Sequence, residues 1–350
     1  MKKFAARLIR WQRAHGRSGL PWQGSRDPYR IWLSEVMLQQ TQVAAVIAYY
    51  ERFLERFPGV EALAGAGEED VLRLWSGLGY YARARNLHAA SRAIAAMGRF
   101  PATAAAIAEL PGVGRSTANA IAVFAFGERA PILDGNVKRV LARAFAIPGW
   151  PGQPEVERAL WATAQSLLPR RDLETYTQAL MDLGATVCTK ARPACGRCPI
   201  QSGCAALAQG RIDELPAPRP RKRLPLRRST WLVLRRGGAV LLEKRPSRGL
   251  WGGLWTFPEA RGADIAAYCR KSFGCEIATV RALAGLEHGF THFRLRVRPL
   301  LCEVKRRPAP LPGRTRRRGP ASNHAWLPLA EARAAAVPVP VRALIGQLAA

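Results

Sequence analysis

Along the first 204 residues, apolar side chains recur three and four positions apart, as in Val43, Ile47, Phe53, Leu54 and Phe57, and again in Leu72, Leu74, Trp75 and Leu78. That period lays one apolar stripe along each of a series of helices, and the alternation of a half-buried strand is scarce here. From Leu215 to Leu226 the run LPAPRPRKRLPL mixes prolines with basic residues. A helix cannot continue through it, and such a segment is not expected to pack in a core. Beyond it the texture changes. WLVLRR and AVLLEKR flank Gly237-Gly238, a two-residue hairpin signal, and HFRLRVRPLLCEV alternates like a strand. The pattern therefore predicts a multi-domain chain: an all-α domain over residues 1–210, a basic proline-rich linker over 211–228 and an α+β domain over 229–350. No internal repeat is visible. Residues 305–318 (KRRPAPLPGRTRRR) read as a basic, proline-broken loop expected to be mobile.

Length and composition agree. With 350 residues, 48% of them hydrophobic, the chain is long enough for two or three domains. The opening MKKFAARLIRWQRAHGR scatters charge where a secretory signal needs an apolar core, and no run approaches a membrane span. A soluble, cytoplasmic protein is the expectation, in a compartment that keeps thiols reduced. The net charge of +29, from 54 Lys and Arg against 25 Asp and Glu, favours a polyanion, with nucleic acid the leading partner. A solvated arginine-rich surface and an anionic membrane surface are the plainer alternatives.

Four of the seven cysteines fall in CTKARPACGRCPIQSGC, residues 188–204. Cys188, Cys195, Cys198 and Cys204 are spaced C-x6-C-x2-C-x5-C, so four thiolates can close around one centre. Spacing chemistry alone admits tetrahedral zinc or a cubane iron-sulfur cluster. Upstream, LPGVGRSTANAI (110–121) places Gly112 and Gly114 at a tight turn before a helix whose free N–H groups, beside Arg115, suit a phosphate grip that ignores sequence. Two acids attract attention. Glu35 sits in the apolar helical run WLSEVMLQQTQV, and Asp134 precedes a helix in LDGNVKRVLAR, where an N-cap is the ordinary fate of Asp. Desolvated among Val36, Met37 and Leu38, Glu35 should have a raised pKa, while Asp134 should stay ionised.

Taken in order, these segments resemble the endonuclease III and MutY family of DNA glycosylases. The resemblance implies a helix-hairpin-helix glycosylase domain with the hairpin at 110–121 and one structural [4Fe-4S] cluster per chain on the 188–204 loop, with Lys190 and Arg192 turned to DNA. It implies hydrolysis of an adenine N-glycosidic bond after the base leaves the stack: Glu35 protonates N7, Asp134 stabilises the sugar cation, and Asn136 orients the chemistry beside it. Leu20, Trp22, Gln23 and Gln178 then form the adenine pocket, and Gln40 and Tyr80 enter the duplex. Ser116 stands where the lyase branch carries a lysine, so a single hydrolytic step is expected, with Lys138 a remote candidate for side reactivity.

In the second domain, EKRPSRGLWGGLWTFPEA resembles the Nudix-related module that follows the glycosylase domain in MutY enzymes. A Nudix hydrolase needs a glutamate-rich helix for Mg²⁺, whereas ADIAAYCRKSFGCE offers only Asp264 and Glu276. A recognition module without catalysis is expected. Phe290, Thr291 and His292 of HGFTHFRL match the family's F-S-H element for 8-oxoguanine, with Thr in place of Ser. The implied partner is double-stranded DNA carrying A opposite 8-oxoguanine or G, bound by a monomer with no role for a membrane. The alternatives are an endonuclease III-like glycosylase-lyase on oxidised pyrimidines, disfavoured by Ser116 and the second domain, and a non-catalytic iron-sulfur DNA-binding protein, disfavoured by the acid pair.

Overall fold

The computed structural model describes residues 2–220, 224–262, 264–306 and 323–349. The chain forms two compact units, one made of Met1–Gly65 with Asn86–Arg221 and the other of Ala66–Arg85 with Lys222–Ala350. Up to residue 208 the regular elements are helical: α1 (Lys2–His15), α2 (Pro28–Leu38), α3 (Val43–Arg56), α4 (Val60–Ala64), α5 (Glu68–Trp75), α6 (Ala82–Met97), α7 (Ala104–Ala108), α8 (Arg115–Phe126), α9 (Gly135–Ala144), α10 (Pro154–Ser166), α11 (Leu173–Asp182) and α12 (Ala205–Ala208).

In the first unit, α2 starts on Asp27, whose carboxylate accepts from the Tyr29 N–H at 2.9 Å, with Pro28 in the first turn. Ile31, Trp32, Leu33, Val36 and Met37 bury most of the circumference of α2. Glu35 lies on the same helix, half-buried. A core cluster joins Leu8 of α1, Leu141 of α9, Leu160 of α10 and Leu180 of α11. After α11 the chain makes one π-helical turn, Leu183–Val187. Gly184 in that turn lies so close to α9 that an added Cβ would stand 2.5 Å from Cβ of Asn136, which only glycine avoids.

The proline-rich run does more than link. Leu215 is 3% exposed, and the Arg143 Nε–H donates to the carbonyls of Ile212 (3.1 Å) and Leu215 (2.8 Å). Contrary to the expectation that this run packs in no core, an arginine fork satisfies backbone acceptors that a proline-rich chain cannot pair internally.

The second unit is built on a mixed sheet of β1 (Leu226–Arg236), β2 (Ala239–Lys244), β3 (Trp255–Thr256), β4 (Glu276–Ala282), β5 (Leu286–Gly289), β6 (Arg294–Arg306) and β7 (His324–Pro328), in the order β3-β2-β1-β6-β4, with β5 also on β6 and β7 on β2. β1 and β2 join through Gly237 and Gly238, both at positive φ, as the hairpin signal predicts. β1 and β6 run parallel, from Leu226 beside Arg294 to Arg235 beside Glu303. Its helices include α13 (Ile265–Phe273), α14 (Leu329–Ala334) and α15 (Val339–Ala349). One face of the sheet packs Trp231, Leu295 and Val297 with Val341, Leu344 and Ile345 of α15. The other packs Leu232, Leu300, Cys302 and Val304 with Cys269 of α13.

Residues 66–85 lie within the stretch read as the helical domain, yet they cluster with the sheet. Glu69 accepts from Lys244 Nζ and Trp255 Nε1, both at 2.7 Å. Ser76 Oγ donates to the Val337 carbonyl at 2.9 Å and accepts from Arg342 at 2.5 Å. Of the basic loop expected at 305–318, residues 307–318 lie outside the described residues.

Candidate active site and its surroundings

A cavity of about 290 Å³ opens in the helical unit, walled by parts of α1, α2 and α11 and by the loop between α1 and α2. Glu35, Leu20, Trp22, Gln23 and Gln178 all line it. Burial pushes the Glu35 carboxyl up to about 8, and repulsion from Asp134 adds to the rise. Asp134 caps α9, accepting from the Val137 N–H at 2.7 Å. Its pKa is also raised by burial, which departs from the simple expectation of an ordinary ionised acid. The N–H groups of Val137 and Asn136 and the charges of Arg139 and Arg17 act against that rise. No comparable donor or cation acts against the rise at Glu35.

Ser116 Oγ accepts from the Leu133 N–H at 2.9 Å, tying α8 to the segment that delivers Asp134. Asn136 reaches Asp134 through its backbone N–H, and its side-chain Oδ1 accepts from Arg139 at 2.9 Å. Lys138 Nζ is paired with Glu157 at 2.7 Å. The Gln23 amide is also engaged: Oε1 accepts from the Leu20 N–H (3.1 Å) and Nε2 donates to the Arg17 carbonyl (3.0 Å). These two bonds brace the loop and leave one acceptor site and one N–H of the amide.

Sequence reasoning missed Asp182. Fully buried at the end of α11, its carboxylate accepts from Gln12 Nε2 (2.9 Å), from the Arg17 N–H and Nε (both 2.8 Å) and from Gln178 Nε2 (2.8 Å). Three of the residues lining the cavity are therefore set by one carboxylate. With one Nε2–H of Gln178 donating to Asp182, its Oε1 and its second N–H are left for a ligand. The available signal was an acid within the apolar run QALMDLGATV, the same signal that singled out Glu35.

Around the hairpin, Gly112 adopts φ 77°, and an added Cβ there would stand 2.5 Å from Cβ of Asn86. Gly114 is the N-cap of α8 and provides no side-chain cap, so the first N–H groups of that helix lack one. The Arg115 guanidinium stacks 4.0 Å above the Trp161 ring. Gln40, exposed, holds φ 56°. In the other unit Tyr80, 49% exposed, holds φ 48° with the Arg83 guanidinium 5.5 Å from its ring centre. Both residues occupy a backbone region that side chains other than glycine rarely adopt.

Cys188, Cys195, Cys198 and Cys204 line one further cavity, with Val187, Ile200 and Leu207 in its wall. Burial pushes the Cys198 thiol up to about 11, and the other three thiols lie near enough to add to the rise. Arg143 Nη1 donates to Cys188 Sγ at 3.5 Å and also braces the carbonyls of Thr189 and Lys190. Lys190 and Arg192 are exposed on this loop. Among the described residues no three His, Cys, Asp or Glu side chains stand in a formed metal-holding arrangement. Four thiols around one cavity with a guanidinium alongside nevertheless make a donor set suited to a thiolate-ligated centre.

In the second unit Phe290–Phe293 form the turn between β5 and β6, closed by the Phe290 N–H donating to the Phe293 carbonyl at 2.9 Å. The two phenyl rings stack at 4.5 Å, while Thr291 Oγ1 and His292 Nδ1 lie 2.8 Å apart and exposed. Asp264, one of two acids in the segment that would have to bind Mg²⁺, caps α13 through the Ala267 N–H at 2.9 Å.

Residues 33–166 match the sequence family described as HhH-GPD superfamily base excision DNA repair protein, and residues 230–347 match the NUDIX domain. The chain is 37% identical to the adenine DNA glycosylase of Buchnera aphidicola subsp. Baizongia pistaciae over 301 residues, 85% of each protein. It is 37% identical to the adenine DNA glycosylase of Homo sapiens over 357 residues, 83% of this chain and 65% of that one. Among solved structures, a thermostable thymine-DNA glycosylase superposes with a TM-score of 0.54 at 28% identity, covering 59% of this chain and 96% of that one. An endonuclease III–DNA complex gives 0.51 at 22% identity, covering 61% and 97%. Among the described residues no helix is long and apolar enough to cross a membrane.

Proposed function

The chain belongs to the adenine DNA glycosylases of base excision repair, and we propose that it hydrolyses the N-glycosidic bond of adenine paired with 8-oxoguanine or guanine in duplex DNA, without lyase chemistry. The observation that carries this reading is a cavity acid, Glu35, whose carboxyl is pushed up to about 8 by burial and by repulsion from Asp134. Glu35 then delivers a proton to the departing base, Asp134 faces the cationic sugar, and a water or a transient sugar-carboxylate bond completes the displacement. In this reading Gln178 Oε1 accepts from an exocyclic amine, and Leu20 and Trp22 cover the flipped base.

Ser116 tests the hydrolytic part. Its contact with the Leu133 N–H puts it next to the segment carrying Asp134, so an amine at that position would stand near the sugar. Ser116→Lys should gain strand nicking and borohydride trapping that the wild type lacks. Robust trapping by the wild type would support the lyase alternative.

Cys188, Cys195, Cys198 and Cys204 would hold one [4Fe-4S] cluster, with a structural role that fixes Lys190 and Arg192 toward phosphate. Protein purified anaerobically should carry about four irons per chain, and stoichiometric zinc would refute the assignment. Gln40 and Tyr80 are read as the residues that enter the duplex, and Gly112, Gly114 and Arg115 as its phosphate grip.

The Phe290–Thr291–His292 turn is read as the sensor of 8-oxoguanine. Thr291→Ala with His292→Ala should slow single-turnover excision of A opposite 8-oxoguanine more than that of A opposite G, by about 1–3 kcal/mol of discrimination, the worth of one good base contact. Equal slowing of both would remove the turn from lesion recognition.

A further inference from the structure

The outward face of β6 carries a ladder of arginines that none of these roles uses. Alternation along the strand sends Phe293, Leu295 and Val297 into the core, and so turns Arg294, Arg296 and Arg298 to the opposite side, where all three are exposed. The parallel register sets exposed Arg228 of β1 directly beside Arg296. Farther along β6 the same face is covered, since Leu300, Cys302 and Val304 pack with Cys269 of α13. The face is therefore closed at one end by a helix and left basic at the other.

Among the described residues one carboxylate pairs with this group. Glu287 of β5, across from Arg296, pairs with Arg296 at 2.6 Å and Arg294 at 3.2 Å. Among the described residues Arg228 and Arg298 have no ion-pair partner. Like charges on adjacent strands cost stability, so folding gives no reason for the arrangement. A polyanion does. Guanidinium forks suit phosphate oxygens, and arginines exposed at alternate positions of one strand present them in a row. The ladder begins two residues after His292, so it runs on directly from the turn.

We propose that Arg228, Arg294, Arg296 and Arg298 form a phosphate-tracking surface that holds the duplex backbone beside the Phe290–Phe293 turn. The proposal requires only that DNA is the substrate, and does not depend on which mispair is read.

The test uses the full chain with Arg228→Ser and Arg298→Ser combined, because neither residue supports an ion pair. Binding to an undamaged duplex and to one with A opposite 8-oxoguanine is followed by fluorescence anisotropy over a range of salt concentrations. The slope of log affinity against log salt should fall by about 1.8, at ~0.9 for each phosphate no longer neutralised, and equally on both duplexes. The Arg228→Lys, Arg298→Lys pair should keep most of the slope, and excision at saturating enzyme should be unchanged in both variants. A wild-type slope in the serine variant, with its circular dichroism unaltered, would overturn the proposal. Since the undamaged duplex involves no chemistry, that result is separable from any failure of the adenine-excision reading.

Discussion

Glu35→Gln should bind the mispaired duplex as the wild type does, yet excise adenine roughly a thousandfold more slowly or worse, the scale of removing a positioned proton donor. Glutamine fills the same space in the cavity and keeps a polar end; what it lacks is the transferable proton. The pH dependence gives a second readout. With the Glu35 carboxyl at about 8, wild-type single-turnover excision should decline as pH rises through that value, and the variant's residual rate should not. Stability should move in the same direction. A carboxyl whose folded pKa lies above its ordinary value near 4.5 contributes fully below 4.5, and that contribution is lost as pH rises through about 8. The glutamine variant should lack this decline. Near-native excision by Glu35→Gln would assign the proton to another group.

Asp182→Ala should destabilise the helical unit by about 3–5 kcal/mol, the usual consequence of breaking a buried ion pair by removing one partner. The alanine leaves the Arg17 guanidinium and N–H and two side-chain amides without the acceptor they share. Urea unfolding followed by far-UV circular dichroism should show the helical transition moved to lower denaturant, with Asp182→Asn less affected because one carbonyl oxygen remains. A midpoint unchanged in the alanine variant would mean that the loop between α1 and α2 is held by other contacts, Gln23 first among them.

Much of the candidate site was legible because its residues break local rules. A carboxylate inside the apolar run of α2 is costly, so Glu35 stood out; Asp134 sits where a helix begins; two glycines mark the hairpin; and four closely spaced thiols are rare by chance. What could not be read depends on partners far apart in the chain. The donors to Asp182 come from positions 12, 17 and 178, and no local pattern joins them. Gln23 and Asn136 have amides suited to reading a base or orienting an acid, and only the fold reveals that Leu20, Arg17 and Arg139 already engage them. The apolar stripe of α5 says that one face is buried, not that the segment joins the sheet of the second unit. The arginines of β6 are visible as alternation, but Arg228 comes beside them only through the parallel register, which no two-residue turn encodes.

The central claim is hydrolytic excision of adenine, and one assay bears on it directly: a labelled duplex with A opposite 8-oxoguanine, incubated with excess enzyme and divided into samples with and without alkali. Adenine release with the strand intact until alkali is added is the expected result. Strand cleavage without alkali, or no adenine release at all, would contradict the account.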